Sequence, residues 1–299
     1  MISSLLRRSA LAWVVCVASG AGGVAQSPRP DSGALPPPPP TDPQLVVAQD
    51  AALDPKLPTV FVVGDSTARN GRDLGWGDHL AHYFDTTRIN VANRSRAGRS
   101  SRSYMVEGLW DKTLAEMKPG DYVMLQWGHN DGGDLGGAKP RGSLRGLGEE
   151  TQDVPQTTGA MAGRTETVHT YGWYNRKYIA DTRAKGATPM MLSLTEQNIW
   201  KPDAGGVPQL AHGMAGYDEQ ERQIAAAAGI QYVDMGAVEW DRLSKAGPEE
   251  TAKLFPIDHT HTSAEGAELN AQSVVIALKR ANSPLVKYLN ERGRGLRQD

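Results

Sequence analysis

Three short clusters combine residue types able to carry nucleophilic catalysis: Gly64-Asp65-Ser66-Thr67, Gln126-Trp127-Gly128-His129-Asn130-Asp131 and Asp258-His259-Thr260-His261-Thr262-Ser263. A serine hydroxyl attacks poorly until a base takes its proton, so Ser66 needs a histidine converging on it. A loop through the third cluster can bring Asp258 and His261 together, the carboxylate fixing the imidazole tautomer and stabilising the imidazolium. His259 is then a neighbour of the base. The Asn130 side-chain amide, and the backbone N–H of Gly98 in Ala97-Gly98-Arg99-Ser100, can meet negative charge developing on a carbonyl oxygen. Taken singly, these clusters also read as ordinary turns and helix caps. A metal centre drawing on His129, Asp131, Asp258, His259 and His261 is the sharper rival. It leaves Ser66 and Gly98 without a task.

The elements that must position these residues explain why the clusters belong together. Residues 59–63 form a short continuous apolar run, as expected of a parallel strand buried on both faces. Similar runs recur at 89–92, 122–126, 189–194 and 231–235, with helical patterns at 77–84, 109–117, 171–185 and 217–228. A final helix is expected over 263–280, with Ser263 as N-cap. Strands alternating with helices predict a doubly wound parallel sheet with right-handed crossovers, whose ligand site lies beyond the carboxyl ends of the strands. Ser66, Gly98 and Asn130 all follow such runs.

Composition narrows the function classes. A chain of 299 residues, 39% hydrophobic, is long enough for one domain with a sizeable core plus extra chain. Thirty-two basic against thirty-four acidic residues give a net charge of -2, without the basic excess that nucleic acid binding needs. At the N-terminus, Arg7-Arg8, an apolar stretch over 11–17 and Gly23-Val24-Ala25 read as a cleavable export signal over residues 1–25. The apolar stretch is too short to span a membrane. The only cysteine, Cys16, lies inside that signal, which excludes cysteine catalysis and disulfides in the processed chain. Residues 26–57, with the run Pro36 to Pro40, read as an extended linker. The catalytic domain is expected over 58–285 and a polar tail over 286–299.

With these residues in hand, the chain resembles the SGNH (GDSL-like) hydrolase superfamily: Ser66, Gly98, Asn130 and His261 stand in its expected order. More narrowly, Gly64-Asp65-Ser66-Thr67, Gly75-Trp76-Gly77, Ala97-Gly98-Arg99-Ser100, Gly128-His129-Asn130-Asp131 and Asp258-His259-Thr260-His261 are similar to the rhamnogalacturonan acetylesterase family. The resemblance implies a three-layer α/β, flavodoxin-like fold, a five-stranded parallel sheet with helices on both faces. It further implies Ser66 as nucleophile, His261 as base, Asp258 as its orienting partner, and an oxyanion hole of Ser66 N–H, Gly98 N–H and the Asn130 amide. No metal or other cofactor is implied. The partner is then an acetylated polysaccharide or oligosaccharide, met by an exported monomer in the periplasm or outside the cell, without membrane insertion.

Residues 132–167 do not align with the family pattern and are expected to border the cleft, where Arg141, Arg145 and Arg164 could meet sugar carboxylates. Trp76 and Trp200 are candidate sugar-stacking platforms. Arg99, Asp131, His169 and His259 are further candidate substrate contacts. An acetylxylan esterase, a general GDSL-type esterase or lipase, and a non-catalytic exported carbohydrate-binding protein are the alternatives. Polarity over 132–167 argues against a lipase lid, and binding alone needs neither nucleophile nor base.

Overall fold

The computed structural model describes residues 52–71, 73–213 and 216–298. The expected signal segment, and the linker up to residue 51, lie outside the described residues. Five strands, β1 (Thr59–Gly64), β2 (Asn90–Asn93), β3 (Tyr122–Gln126), β6 (Thr188–Leu192) and β9 (Gln231–Val233), pair in parallel in the order β2-β1-β3-β6-β9. All six residues of β1 are buried, which is why its sequence is continuously apolar rather than alternating. Successive side chains of β1 still serve opposite faces. Val60 and Val62 pack with Trp76, Leu80, Val274 and Leu278, whereas Phe61 and Val63 pack with Tyr104, Trp110, Tyr178 and Ile224.

The helices divide accordingly. Helices α1 (Trp76–His79), α6 (Met235–Leu254) and α7 (Ala264–Arg280) supply one apolar layer, and α2 (Ser101–Val106), α3 (Leu109–Glu116), α4 (Tyr171–Ala184) and α5 (Tyr217–Ala228) the other. The result is the three-layer α/β arrangement with a five-stranded parallel sheet. Among the described residues no helix is long and apolar enough to cross a membrane.

Several elements depart from the sequence expectation for identifiable reasons. Expected helix 77–84 is four residues of α-helix followed by a 3₁₀ turn, Leu80–Tyr83. Helix α2 is short and owes its start to a capping box between Ser100 and Ser103, a Ser-x-x-Ser variant of the usual pattern. Helix α6 was not expected because Gly247, at φ 81°, and Pro248 interrupt it with a kink. Two antiparallel hairpins, β4 (Thr151–Pro155) with β5 (Thr165–His169) and β7 (Trp200–Pro202) with β8 (Pro208–Leu210), lie outside the central sheet. Strands β4 and β5 are mostly exposed and polar, with the charged Glu166 at one inward position of β5, and β7 and β8 are only three residues each, so no apolar alternation announces them.

The C-terminal segment packs against the rest of the domain. Residues 286–298, expected as a polar tail, dock onto the body of the domain beside the 3₁₀ turn. Leu285 and Leu289 are fully buried, and Leu289 forms a β-bridge with Phe84. Asn290 fastens the segment: its N–H donates to the Tyr83 carbonyl, its amide to those of His82 and Phe84, and its Oδ1 caps α8 (Glu291–Gly295). Two buried leucines among polar neighbours are easily missed by composition. Leu289→Ala is expected to cost about 2–5 kcal/mol, as a core truncation does; urea denaturation would measure it. A cost below about 0.5 kcal/mol would mark the segment as surface chain.

Candidate active site

Strand β1 delivers its last residue, Gly64, beside Gln126 at the end of β3, where a Cβ would lie 2.9 Å from the Gln126 carbonyl. The chain then turns through Ser66. Thr67 donates from its N–H and its hydroxyl to Asp65 Oδ1, both at 2.9 Å, an Asx-type turn that fixes Ser66 between them. The turn is braced from the far side by Trp76 N–H to the Thr67 carbonyl, 3.0 Å, and Gly77 N–H to the Ala68 carbonyl, 3.0 Å. This close approach requires glycine at 75, since a Cβ there would meet the Ala68 carbonyl at 2.4 Å.

At the other end of the sequence, the loop before α7 folds on its own carboxylate. Asp258 Oδ1 accepts from the backbone N–H groups of Thr260 and His261, both at 2.7 Å, and Oδ2 lies 2.7 Å from His261 Nδ1. His261 Nε2 lies 2.9 Å from Ser66 Oγ, although the two residues are 195 apart in sequence. The structure therefore joins Ser66, His261 and Asp258 in one hydrogen-bonded line. Burial alone would raise the Asp258 carboxyl, but the His261 ring and the two backbone donors hold it well below the usual carboxylate range. It is a fixed negative charge beside Nδ1–H. Ser66 itself is buried, with 7% of its surface exposed, while the imidazole and carboxylate retain partial access to solvent.

Gly98 and Asn130 come to the same edge. Gly98 has φ 75°, a left-handed conformation suited to glycine at the turn after β2. Asn130 Nδ2 donates to the Arg99 carbonyl at 2.7 Å, which fixes the amide plane and leaves its second hydrogen available to a ligand. The turn is tied to the Asn130 loop by Asp131. Its carboxylate accepts from Ser101 N–H, the Ser101 hydroxyl and the Ser143 hydroxyl. Asp131 is fully buried, and burial pushes its carboxyl up to about 6. It is therefore a support for Gly98 and Asn130, not the substrate contact expected from sequence.

The other expected contacts are placed variously. Trp76 is fully buried and its indole N–H donates to Gln126 Oε1 at 2.8 Å, so it cannot stack on a sugar. Trp200 packs beside Leu210 and Phe255, its N–H given to Asn198 at 2.9 Å. The His169 ring stacks on Trp173 with centroids 3.7 Å apart, and burial pushes its imidazole below the ordinary value. His259 is exposed beside the base; its carbonyl accepts from Asn198 N–H at 2.8 Å. Arg99, paired with Glu107 at 2.8 Å, lines a cleft of about 270 Å³ beside Gly98, together with Lys139, Arg141, Thr158 and Met161. Arg145 lies over the Tyr217 ring, and Arg164 is exposed at the hairpin turn.

The residues weighed as metal ligands do not assemble. His129 is buried with Nε2 3.0 Å from Thr195 Oγ1, and Asp131 is committed to Ser101 and Ser143. Two residues that sequence reasoning passed over support the base loop: Gln197 donates to Thr260 Oγ1 at 2.7 Å, and Asn198 to His259. Their only signal is position, in the loop after β6.

Residues 62–269 match the GDSL-like lipase/acylhydrolase family. The rhamnogalacturonan acetylesterase of Emericella nidulans is 33% identical over 74% of this chain and 84% of its own length. The chain belongs to this GDSL-like family and, within it, to the rhamnogalacturonan acetylesterase family. A probable rhamnogalacturonan acetylesterase of Bacillus subtilis is 27% identical over 77% of this chain and 96% of its own. The fold is shared with the crystal structure of the B. subtilis protein YxiM, at a TM-score of 0.58 and 24% identity, over 76% of this chain and 57% of that one. This GDSL-like protein is a carboxylic ester hydrolase.

Asn130→Ala should lower kcat by about 10²–10³, corresponding to about 2.7–4 kcal/mol, with little change in KM, because a donor to an oxyanion acts on charge present only in the transition state. Steady-state kinetics on an acetyl ester would measure the split. A change confined to KM would place the amide on ground-state substrate instead.

Proposed function

We propose that the protein is an exported serine esterase that removes O-acetyl groups from a plant cell-wall polysaccharide, rhamnogalacturonan foremost. The observation that carries the chemistry is the continuous line from Ser66 Oγ through His261 to Asp258, 2.9 and 2.7 Å per link. His261 Nε2 takes the Ser66 proton as Oγ attacks the acetyl carbonyl. The tetrahedral oxyanion is met by the N–H groups of Ser66 and Gly98 and by the free hydrogen of the Asn130 amide. The imidazolium, stabilised by Asp258, then returns its proton to the leaving sugar hydroxyl. A water, deprotonated by the same nitrogen, attacks the acetyl-Ser66 ester, and the imidazolium returns that proton to Ser66 Oγ as acetate leaves.

The choice of polymer rests on the kinship with rhamnogalacturonan acetylesterases, two of them named above. A lipase is disfavoured by the surface: the described residues expose only Val207 and Ile257 as large hydrophobic side chains, and the β4–β5 hairpin presents Thr, Gln, Asp and Glu. Export rests on the N-terminal segment, Arg7-Arg8 with the apolar run to residue 17.

Two measurements test this reading. Acetate release over a panel of acetylated polysaccharides should be fastest on rhamnogalacturonan; equal rates on acetylated xylan would remove the assigned polymer but keep the esterase. His261→Asn should cost several orders of magnitude in kcat, as loss of a triad base does, whereas His259→Asn should cost on the order of tenfold through the disturbed loop. A dead His259→Asn enzyme beside an active His261→Asn enzyme would overturn the triad. Asp258→Asn should lower kcat by about 10⁴, as loss of the orienting carboxylate does in a serine triad, because the His261 ring and two backbone donors keep Asp258 ionised well below the usual carboxylate range. An Asp258→Asn enzyme with near-normal kcat would show that the carboxylate is not needed.

A further inference from the structure

Three side chains outside the triad converge on one point. His79, the last residue of α1, presents Nδ1 at 2.8 Å from Glu268 Oε2 on α7, and His82, three residues on, presents Nδ1 at 3.4 Å from the same oxygen. One ligand atom from each lies within 4.8 Å of the others. Two donors bound at about 2.0–2.1 Å to one ion lie about 2.9–3.4 Å apart, whether the coordination is octahedral or tetrahedral. The two separations to Glu268 Oε2 are close to such edges, and the two imidazoles each offer a ligand atom within 4.8 Å of the other.

The surrounding hydrogen bonds set the donor atoms. His79 Nε2 lies 2.8 Å from the Asp73 carbonyl, which only accepts, so Nε2 carries the proton. A neutral His79 then directs the Nδ1 lone pair at a carboxylate oxygen that is also an acceptor. Two lone pairs 2.8 Å apart demand a positive charge between them. The other carboxylate oxygen, Oε1, is held by the Tyr83 hydroxyl and the Arg292 guanidinium, leaving Oε2 for the convergence. A backbone carbonyl on the far imidazole nitrogen and donors on the far carboxylate oxygen are the outer partners that orient metal ligands.

We propose that His79 Nδ1, His82 Nδ1 and Glu268 Oε2 hold one divalent transition-metal ion, zinc being the one tested, as a structural tie between the segment following Ser66 and the helix following His261. Two imidazoles and one carboxylate suit zinc, and the partial exposure of His82 and Glu268, 13% and 20% of their side chains, gives an ion and a completing water access. None of these residues was weighed as a ligand from sequence, because His79 and His82 lie in what reads as a plain helix and Glu268 is 189 residues away. The site lies apart from the triad, and no step of ester hydrolysis passes through it. Its rival is a proton: a doubly protonated His79 would also bridge Asp73 and Glu268. Burial works against that form, while Glu268 and the Asp73 carbonyl favour it and raise the imidazole overall. The proton accounts for His79 alone and leaves His82 dispensable.

His82 therefore separates the two. Full-length protein stripped with a chelator is dialysed against zinc, and bound metal and Tm are measured. The expected result is one zinc per chain and a Tm higher by several degrees. Both should be lost in His82→Asn and in Glu268→Gln, and regained in His82→Cys, which restores a ligand while showing that position 82 tolerates substitution. The double variant His259→Asn/His261→Asn removes the competing imidazoles at the candidate active site and should keep the zinc. Failure of the stripped protein to retain zinc, retention undiminished in His82→Asn, or loss in the 259/261 double variant would each overturn the proposal.

Discussion

The carboxamide of Gln126 is the contact on which the geometry of the site depends. It stands at the end of the central strand β3, fully buried, where an unpaired amide would be costly. Its Oε1 accepts from the Thr67 hydroxyl at 3.1 Å and the Trp76 indole at 2.8 Å, and its Nε2 donates to the Ser193 carbonyl at 2.8 Å. One side chain thus joins the turn after β1 to the loop after β6. The first of these carries Ser66. The second carries Gln197 and Asn198, which hold the His261 loop from the outside through the Thr260 hydroxyl and the His259 carbonyl. Because the bonds are buried and directional, they fix where the loops leave the sheet more sharply than apolar contact can.

Placing the base against the nucleophile is then a matter of bringing the last helix to the same edge. Helix α7 buries Ala271, Val274, Val275 and Leu278, and with Val60, Val62, Trp76 and Leu80 they form one apolar layer on the sheet. Ser263 caps the helix through Gly266 N–H at 3.2 Å, so the residues before it leave in extended form. Thr262 donates to the Leu74 carbonyl at 3.1 Å, fastening this exit to the segment that follows Ser66. Position 261 faces position 66 because both ends of that contact are held by elements of the same layer. The Asp258 carboxylate, with three donors within three residues, fixes the ring locally.

What could be read from sequence follows from this division of labour. Ser66, Gly98, Asn130, Asp258 and His261 stand in compact motifs directly after strands or before a capped helix, so strand runs and residue type together locate them. The parallel sheet was legible for the same reason, since burial on both faces makes each strand a continuous apolar run. Supporting residues were not legible. Gln126, Gln197 and Asn198 are amides in or after strands, and nothing in their type distinguishes a buried brace from a solvated loop. Trp76 was misread because an indole in a loop suggests a sugar platform, whereas its N–H is aimed at Gln126. Asp131 was misread because its neighbour Asn130 reaches the edge while it turns inward to Ser101.

The wall of the cleft obeys a different rule from the core, which is why sequence places the 132–167 segment beside the cleft but does not give its structure. Residues 135–142 carry Lys139 and Arg141 to the cleft without regular secondary structure to stiffen them. Arg102, on α2 and 2% exposed, grips Glu166 of β5 through two bonds of 2.7 and 2.6 Å, and donates to the Gly142 and Leu135 carbonyls at 2.6 and 2.9 Å. Desolvating such a pair costs several kcal/mol per ion, so the pair is a poor source of net stability. Its geometry is what it contributes. A forked guanidinium can bond a carboxylate on one strand and two carbonyls on an irregular segment at once, which no apolar side chain can do. The irregular wall is therefore set by the same helix, α2, whose first residues bond Asp131 beneath Gly98 and Asn130. Cleft shape and oxyanion donors share one support, and a change in the Arg102–Glu166 pair must be felt at both.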